Sequence, residues 1–363
     1  MKIHNFVLSN LLVMMISGGQ AGTVTNNEDS GAGSLRDVLG AASDNEVINF
    51  AAGLNGTTIT LSSGSLSITG LTLTLDASAL PSGIKLSGNK SSRILTIVDN
   101  ADVTLRSLHL RDGRENEDNG GGLKVFSSHL VLDACSIQDC VSAFDGGGLW
   151  GNGMTGSIQR CKIAGNESGS FGGGIFLIGI NGTKSLDISN SQISGNVAAF
   201  GAGIDNFRAN PTLSNCTIQG NSGGGLCNQS GSAPVLRNCI VWGNAAANGS
   251  TASQQLRNFD GSHPDIDHCL IEGASDAASF GDATAVAWGN GNLDGTLAGC
   301  DPCFVAAVSA AKAPSSASDL RVFTNSPCLN VDDNGFSGTA MDLAANARQL
   351  GVTTNLGGGG RRL

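Results

Sequence analysis

Short runs of alternating apolar and polar residues follow one another through most of this chain. Residues 71–75 read Leu-Thr-Leu-Thr-Leu, for example, and glycine, asparagine, serine or aspartate separates one run from the next. Strict alternation is typical of β-strands that bury one face, and no segment of helix length carries an apolar stripe at a spacing of 3.6 residues. The pattern predicts an all-β protein made of many short strands.

A glycine-rich block recurs in the middle of the chain and closes each time on leucine or isoleucine. The blocks are residues 120–123, 146–149, 172–175, 201–204 and 223–226. Three of them follow shortly after a phenylalanine, at Phe144, Phe171 and Phe200. Blocks spaced by 22 to 29 residues indicate an internal repeat.

A second motif, aliphatic-x-x-Cys-x-aliphatic, lies between the glycine blocks. Its cysteines are Cys135, Cys161, Cys216, Cys239 and Cys269, and Ser191 takes the cysteine position in a further copy. Asparagine follows three residues after the last aliphatic residue in four copies, at Asn166, Asn196, Asn221 and Asn244. Cys140 takes the asparagine position in an earlier copy.

A repeat of this length is shorter than a propeller blade, and its strand periodicity differs from that of helical repeats. It matches one coil of a β-solenoid, in which strands of successive coils pair in parallel about 4.8 Å apart. We therefore predict a right-handed parallel β-helix of about nine or ten coils. We place the coils at residues 57–274.

Equivalent residues of successive coils lie above one another, which assigns architectural roles to the repeated residues. Stacked asparagines at a turn can hydrogen-bond along the stack, and glycine blocks permit sharp corners. Thiols pack as small apolar groups, so the five repeated cysteines are interpreted as an inward ladder, with a disulfide set as the alternative. The state of Cys140, Cys227, Cys300, Cys303 and Cys328 is left open by the sequence.

The ends of the solenoid need covers, because they expose apolar core and unpaired strand edges. Residues 22–56 are predicted as an N-terminal cap, in which Ser34 and Asp37 fit a capping box that opens a short helix. Residues 275–363 lose the repeat and are predicted as an irregular C-terminal cap. Residues 1–21 are interpreted as a secretory signal peptide, and a buried N-terminal strand or helix is the alternative.

Composition and charge narrow the choice of partners. Glycine supplies 53 residues, apolar residues make up 40% of the chain, and the formal net charge is −10. The apolar content argues against a disordered chain, and the acidic balance with scattered basic residues argues against nucleic-acid binding. Beyond the first 21 residues the sequence contains no apolar stretch long enough for a transmembrane helix.

Several segments resemble secreted bacterial β-helix proteins with a choice-of-anchor Q type C-terminal region. The coils are also similar to the repeats of chlamydial polymorphic outer-membrane proteins. The segments that carry the resemblance are residues 29–36, 47–50, 54–61, 301–305, 325–330 and 342–348. The resemblance implies a secreted, cell-surface or outer-membrane-associated protein of a Gram-negative-type bacterium, and it implies no reaction.

One polar loop and two smaller groups are the candidates for chemistry. The loop contains Arg111, Asp112, Arg114, Glu115, Glu117 and Asp118. It could bind a sugar or Ca²⁺, although a solvated surface loop is the alternative and EF-hand spacing is absent. The Cys300–Cys303 pair is interpreted as structural, and His263 and His268 as surface residues beside outward-pointing aspartates.

Two functions remain open at this point. The first is a non-catalytic extracellular or cell-surface protein for adhesion or glycan binding, because the repeats carry ladders and turns without a recurring catalytic group. The second is a polysaccharide lyase, epimerase or hydrolase that acts on one face of the β-helix, although a fold alone does not establish an activity. We expect a monomer without a resident cofactor.

Overall fold

Alternating burial along short strands places one aliphatic face of each strand inside and one polar face outside. In the strand Thr72–Asp76, Leu73 and Leu75 are buried, while the other three residues are partly exposed. The computed structural model describes residues 22–180, 186–246, 250–280, 286–297 and 299–322. Their strands form three long parallel sheets, which we name sheets A, B and C.

Each sheet takes one strand from almost every coil. Sheet A consists of Gly22–Val24, Glu46–Phe50, Thr72–Asp76, Asp102–Arg106, His129–Asp133, Thr155–Gln159, Asp187–Ser189, Thr212–Ser214, Val235–Arg237, Asp265–Asp267 and Ala287–Trp288. Sheet B consists of Thr58–Thr60, Ile84–Ser87, Leu108–Arg111, Ser136–Gln138, Lys162–Ala164, Gln192–Ser194, Thr217–Gln219, Ile240–Trp242, Leu270–Ile271 and Leu293–Asp294. Sheet C consists of Leu66–Thr69, Leu95–Val98, Leu123–Phe126, Leu149–Asn152, Ile175–Ile178, Ile204–Phe207, Leu226–Gln229 and Leu256–Asn258.

Within a coil the chain visits sheet A, then sheet B, then sheet C. A small parallel sheet of Arg114–Glu115, Val141–Ser142 and Glu167–Ser168 lies between sheets B and C. Equivalent residues pair in register from coil to coil, as Ile137 does with Ile163 and Ile163 with Ile193. The predicted parallel β-helix is confirmed, with about ten turns, since sheet B alone has ten strands.

The core consists of the inward aliphatic residues of all three sheets. Ile137, Ile163 and Ile193 are each at most 1% exposed, and the same holds for the equivalent residues of sheets A and C. Burying a side chain of this size contributes about 1.5–3 kcal/mol. The stacked aliphatic columns therefore supply the main stabilisation of every coil.

The corners use residues with left-handed backbone geometry. Between sheets A and B the first corner residue has a positive φ, with values of 53° at Arg160 and 49° at Asn190, and the next residue belongs to the cysteine column. The glycine blocks precede sheet C and stack closely on one another. A Cβ on Gly148 would lie 2.6 Å from the carbonyl oxygen of Gly174, so a side chain there would push the coils apart.

The N-terminal end is closed by a short helix, α1, at Leu35–Gly40. Ser34 is its N-cap and accepts a hydrogen bond from the backbone N–H of Asp37 at 3.2 Å, as the capping box predicts. Leu35 is buried, and Val38 and Leu39 pack against the core. The 3₁₀ turn Ala52–Leu54 completes this end.

Strand pairing extends beyond the range predicted for the coils. Gly22–Val24 and Glu46–Phe50 already pair in sheet A, and Ala287–Trp288 and Leu293–Asp294 add to sheets A and B after residue 274. A short helix, α2, spans Thr251–Gln255 before the last strand of sheet C.

The final described segment lies along the outer face of sheet B. It contains the antiparallel pair Phe304–Ala306 and Asp319–Val322 and the 3₁₀ turn Ala310–Lys312; another 3₁₀ turn, Ala277–Phe280, precedes it. Gln219 binds the backbone of Val308 through both its amide nitrogen and its amide oxygen. No helix in the described ranges is both long and apolar enough to cross a bilayer. The predicted signal peptide lies outside those ranges.

Candidate functional site

The outer face of sheet C carries an unusual column of side chains. In register along the stack it consists of Lys124, Trp150, Phe176, Asp205, Cys227 and Arg257. These residues alternate with the inward aliphatic residues and so point away from the core. Even so, Trp150, Phe176 and Cys227 are only 2–6% exposed, and Asp205 is fully buried.

Loops that precede the strands of sheet C cover this column with aromatic rings. The ring of Phe171 stacks on Phe176 with centroids 6.0 Å apart, and on Phe200 at 5.8 Å. Phe200 and its counterpart Phe144 remain 40% and 49% exposed, and Phe126, at the other margin of sheet C, is 43% exposed. Exposed aromatic rings thus border sheet C on both sides.

Cations lie against several of these rings. Lys124 Nζ is 5.4 Å from the ring centroid of Trp150, and the guanidinium of Arg257 is 4.6 Å from that of Phe259 and 5.9 Å from that of Phe200. Distances below 6 Å are typical of cation–π contacts. The face therefore combines apolar ring surfaces with hydrogen-bond donors.

Two carboxyl groups lie beneath the phenylalanine loops. Burial raises the pKa of Asp205 to about 8, against the opposing effect of hydrogen bonds from Gln229 and Cys227. Burial also raises the pKa of Asp145, whose Oδ1 accepts from the backbone N–H of Phe171 at 3.2 Å. The two groups are near enough for Asp145 to raise the pKa of Asp205 further.

The predicted polar loop is divided between two environments. Glu115 and Asp118 both bind the guanidinium of Arg93 at 3.0 Å, and Asp118 also binds Lys124 Nζ at 2.5 Å. Arg93 is only 8% exposed and also donates to the backbone carbonyls of Gly120 and Asn119. This part of the loop therefore belongs to the margin of the sheet C face.

The other four predicted residues make different contacts. Arg111 pairs with its neighbour Asp112 at 2.7 Å at the end of a sheet B strand. Arg114 Nε donates to Asn116, and the backbone of Glu117 donates to Glu115. Their binding role stays a prediction, and so does Ca²⁺. Among the described residues, no group of three or more His, Cys, Asp or Glu side chains is placed to hold a metal ion.

A shallow cavity of about 510 Å³ lies at the corner where the chain passes from sheet C to sheet A. Its lining includes Asn100, Asp102, Ser127, His129, Thr155 and Ile180. His129 Nδ1 lies 3.0 Å from Thr155 Oγ1. Because Ser127 directly follows Phe126, the cavity borders the sheet C face.

The repeated asparagines form a continuous buried column. Their side-chain nitrogens donate to the side-chain oxygen of the next asparagine at 2.8–3.0 Å, in the order Asn166, Asn196, Asn221 and Asn244. Each nitrogen also donates to a backbone carbonyl of the preceding coil. The column ends on Gln255 of α2, whose Oε1 accepts from Asn244 at 2.7 Å. These hydrogen bonds satisfy the buried amides and hold the coils in register.

The repeated cysteines are 1–3% exposed and lie inside the corner between sheets A and B. Cys135, Cys161, Cys239 and Cys269 are free thiols, and the backbone N–H of Cys239 donates to Cys269 Sγ at 3.3 Å. Cys216 lies in the same column, with its Sγ 3.4 Å from the carbonyl oxygen of Ile188. Outside this column Cys140, Cys227 and Cys300 are also free thiols, and Cys303 Sγ donates to the carbonyl oxygen of Asp301. Cys328 lies outside the described residues.

Comparison with known proteins supports the fold and its handedness. A family model described as a right-handed beta helix region matches residues 178–294. The structure is similar to the crystal structure of pectate lyase Pel9A, with a TM-score of 0.52 at 12% identity over 92% of this chain and 98% of that one. No curated protein matches the chain. The prediction of a right-handed β-helix is confirmed, and at this identity the likeness shows the fold alone.

Much of the sheet C face was missed by reasoning from the sequence. The phenylalanines before the glycine blocks mark the repeat but do not show that they cover sheet C. The residue directly after each block forms the outer column, as Trp150 and Phe176 show, but its type differs from coil to coil and gives no repeated signal. Arg93 gave no signal, because it is a lone arginine next to a strand. Its partners are 22 and 25 residues further along the chain.

Proposed function

We propose that the protein is an extracellular or cell-surface β-helix whose sheet C face is non-catalytic and binds glycans. This proposal rests on the exposed rings of Phe126, Phe144 and Phe200. They surround a face that also holds Lys124 and Arg257. Sugars present both apolar C–H faces and hydroxyl groups. A surface that alternates aromatic rings with fixed donors and acceptors matches both features.

The ion-paired margin supports binding by a surface that is already ordered. Arg93 fixes the backbone at Asn119 and Gly120, and Asp118 holds Lys124 beside the ring of Trp150. A preformed surface loses less conformational entropy when a ligand binds than a flexible loop does. The corner cavity beside Phe126 gives room for a sugar unit next to this face.

A glycan array with the purified protein, followed by titration calorimetry on the best ligand, tests this proposal. We expect Phe126→Ala, Phe144→Ala and Phe200→Ala each to weaken binding by about tenfold, because each removes an exposed stacking ring. Val47→Ala is the matched control, since Val47 is an equally exposed apolar residue on sheet A. Affinities that are the same in all four variants would overturn the proposed site.

A second candidate function is cleavage of a polysaccharide. The observation that favours it is the neighbouring pair Asp145 and Asp205, whose raised pKa values are of the kind found in catalytic acids. Release of unsaturated or reducing-end products from pectate or alginate would establish this function, and Asp145→Asn should then abolish product release. Binding without product release would favour the non-catalytic proposal.

The location of the protein is part of the same proposal. The segment 1–21 has the charge and apolar pattern of an export signal, and a glycan-binding face has its ligands outside the cell. We propose a secreted or surface-associated monomer. Fractionation of expressing cells, with size-exclusion chromatography of the mature chain, tests location and oligomeric state.

A further inference from the structure

The outer face of sheet B carries a second column of side chains that can take part in a reaction, away from the sheet C face. Lys85, His109, Ser136 and Lys162 occupy equivalent positions on four successive strands, in register. Each of the four neighbours an inward aliphatic residue, so all point outward. A hydroxyl and an imidazole thus lie side by side between two ammonium groups.

The serine and the histidine are in direct contact. Ser136 Oγ lies 3.0 Å from His109 Nδ1. The backbone of Ser82 also interacts with the imidazole. In the tautomer that carries its proton on Nε2, Nδ1 carries the lone pair and Ser136 donates its hydroxyl proton to it. A nucleophile and a base are therefore in contact.

The surroundings of His109 keep its imidazole uncharged, which is the form that can accept a proton. Burial and the nearby Lys85 ammonium lower the pKa of His109, so the ring is neutral at neutral pH. Gly83 admits the ring, because a Cβ at that position would lie 2.8 Å from His109 Nε2. The flanking ammonium groups are held by backbone carbonyls, that of Lys85 by Gly56 and that of Lys162 by Ser318.

The histidine gives access to the pair. His109 is partly exposed, whereas Ser136 is 7% exposed. The C-terminal segment covers the neighbouring coils of this face, where Ser318 contacts Lys162 and Gln192. Of the two side chains only that of His109 is partly open to solvent, so an acyl group would have to approach from its side.

We propose that Ser136 and His109 form a nucleophile–base dyad that hydrolyses small carboxylic esters. Ser136 Oγ attacks the ester carbonyl carbon while its proton passes to His109 Nδ1. The bond from that carbon to the alcohol oxygen breaks, and the alcohol leaves with the proton from His109. Water, activated by the same imidazole, then attacks the acyl-serine and releases the carboxylic acid, which restores the hydroxyl of Ser136.

The test combines active-site labelling with turnover. Intact protein is treated with a fluorophosphonate probe and digested, and the labelled peptide is identified by mass spectrometry; p-nitrophenyl acetate hydrolysis is measured in parallel. We expect the label on Ser136, loss of hydrolysis to the buffer rate in Ser136→Ala, and a decrease of about a hundredfold in His109→Asn.

A control variant separates loss of the reaction from loss of the fold. Ser157 on sheet A is a partly exposed serine whose Oγ accepts from Gln159 Nε2, so Ser157→Ala should leave labelling and hydrolysis unchanged. Labelling of the unmodified chain needs no variant, and it keeps the test valid if Ser136→Ala unfolds. A probe that fails to label Ser136, or a folded Ser136→Ala variant that hydrolyses the ester at the original rate, overturns the dyad.

Discussion

The side-chain amide of Gln229 donates to both carboxylate oxygens of Asp205, at 2.9 and 3.0 Å. This contact favours the ionised carboxylate, yet burial beneath the phenylalanine loops outweighs it and the pKa rises to about 8. Asp205 is therefore protonated at neutral pH in the folded protein. In the unfolded chain, with an ordinary pKa of 3.8, it is ionised.

This difference predicts how stability depends on pH. Between about pH 4 and pH 8 the folded state retains a proton that the unfolded state has lost, so Asp205 makes the free energy of unfolding fall as pH rises. Its contribution to the slope is at most about 1.4 kcal/mol per pH unit. Asp205→Asn should flatten the curve of denaturation midpoint against pH across this range.

The exposed Asp260 supplies the control for this experiment. Its backbone has a positive φ of 49°, which asparagine tolerates, so Asp260→Asn should follow the original curve. Parallel curves for the original chain and Asp205→Asn would contradict the assignment of a protonated Asp205.

The asparagine column gives a prediction about stability alone. Asn196 is fully buried, donates to Asn221 and Ile163, and accepts from Asn166. Asn196→Ala would leave several buried polar groups without partners, each of which costs about 1–3 kcal/mol. We expect a loss of several kcal/mol in the free energy of unfolding, measured by chemical denaturation.

An exposed asparagine makes the comparison specific. Asn116→Ala, in the polar loop after the third strand of sheet B, should change stability by no more than about 0.5 kcal/mol. Equal effects of the two substitutions would show that the column does not hold the coils together.

The sequence could predict the coils because their requirements recur. Burial of every second residue, the cysteine at five corners and the asparagine after four sheet B strands are repeated at intervals that a single chain displays. The sheet C face does not repeat its chemistry: Trp150, Phe176, Asp205 and Cys227 occupy one column but share no residue type. The burial of this face arises from loops that fold over the strands, and the alternation of apolar and polar residues along the sequence does not reveal such loops.

The same limit applies to the dyad of His109 and Ser136. The two residues are 27 positions apart, and only the register between adjacent strands brings them into contact. The coil spacing could have found the pair, by aligning outward positions of successive copies rather than only the inward ones.

The buried thiols predict a difference between native and denatured protein. Cys135, Cys140, Cys161, Cys227, Cys239 and Cys269 are at most 3% exposed, and burial raises the pKa of Cys140 to about 12. Burial keeps the reagent away from all six thiols, so they should resist Ellman's reagent in the native protein. They should react after denaturation without reductant, and failure of new thiols to appear then would favour the disulfide alternative.

Arg93 predicts a large effect from a residue that lies outside every repeated motif. It joins Glu115 and Asp118 and binds two backbone carbonyls while only 8% exposed. Removing one partner of a fully buried ion pair costs about 3–5 kcal/mol, but Glu115 and Asp118 are 22% and 39% exposed, so Arg93→Ala should cost less, about 2 kcal/mol. Arg93→Lys should recover only part of this stability, because an ammonium cannot reproduce the planar fork of donors.

Arg111→Ala is the control, because it removes an exposed pair with Asp112 and should cost at most about 1 kcal/mol. Denaturation midpoints of the three variants, with limited proteolysis at residues 113–120, measure both effects. If Arg93→Ala is no less stable than Arg111→Ala, then Arg93 does not hold the margin of sheet C.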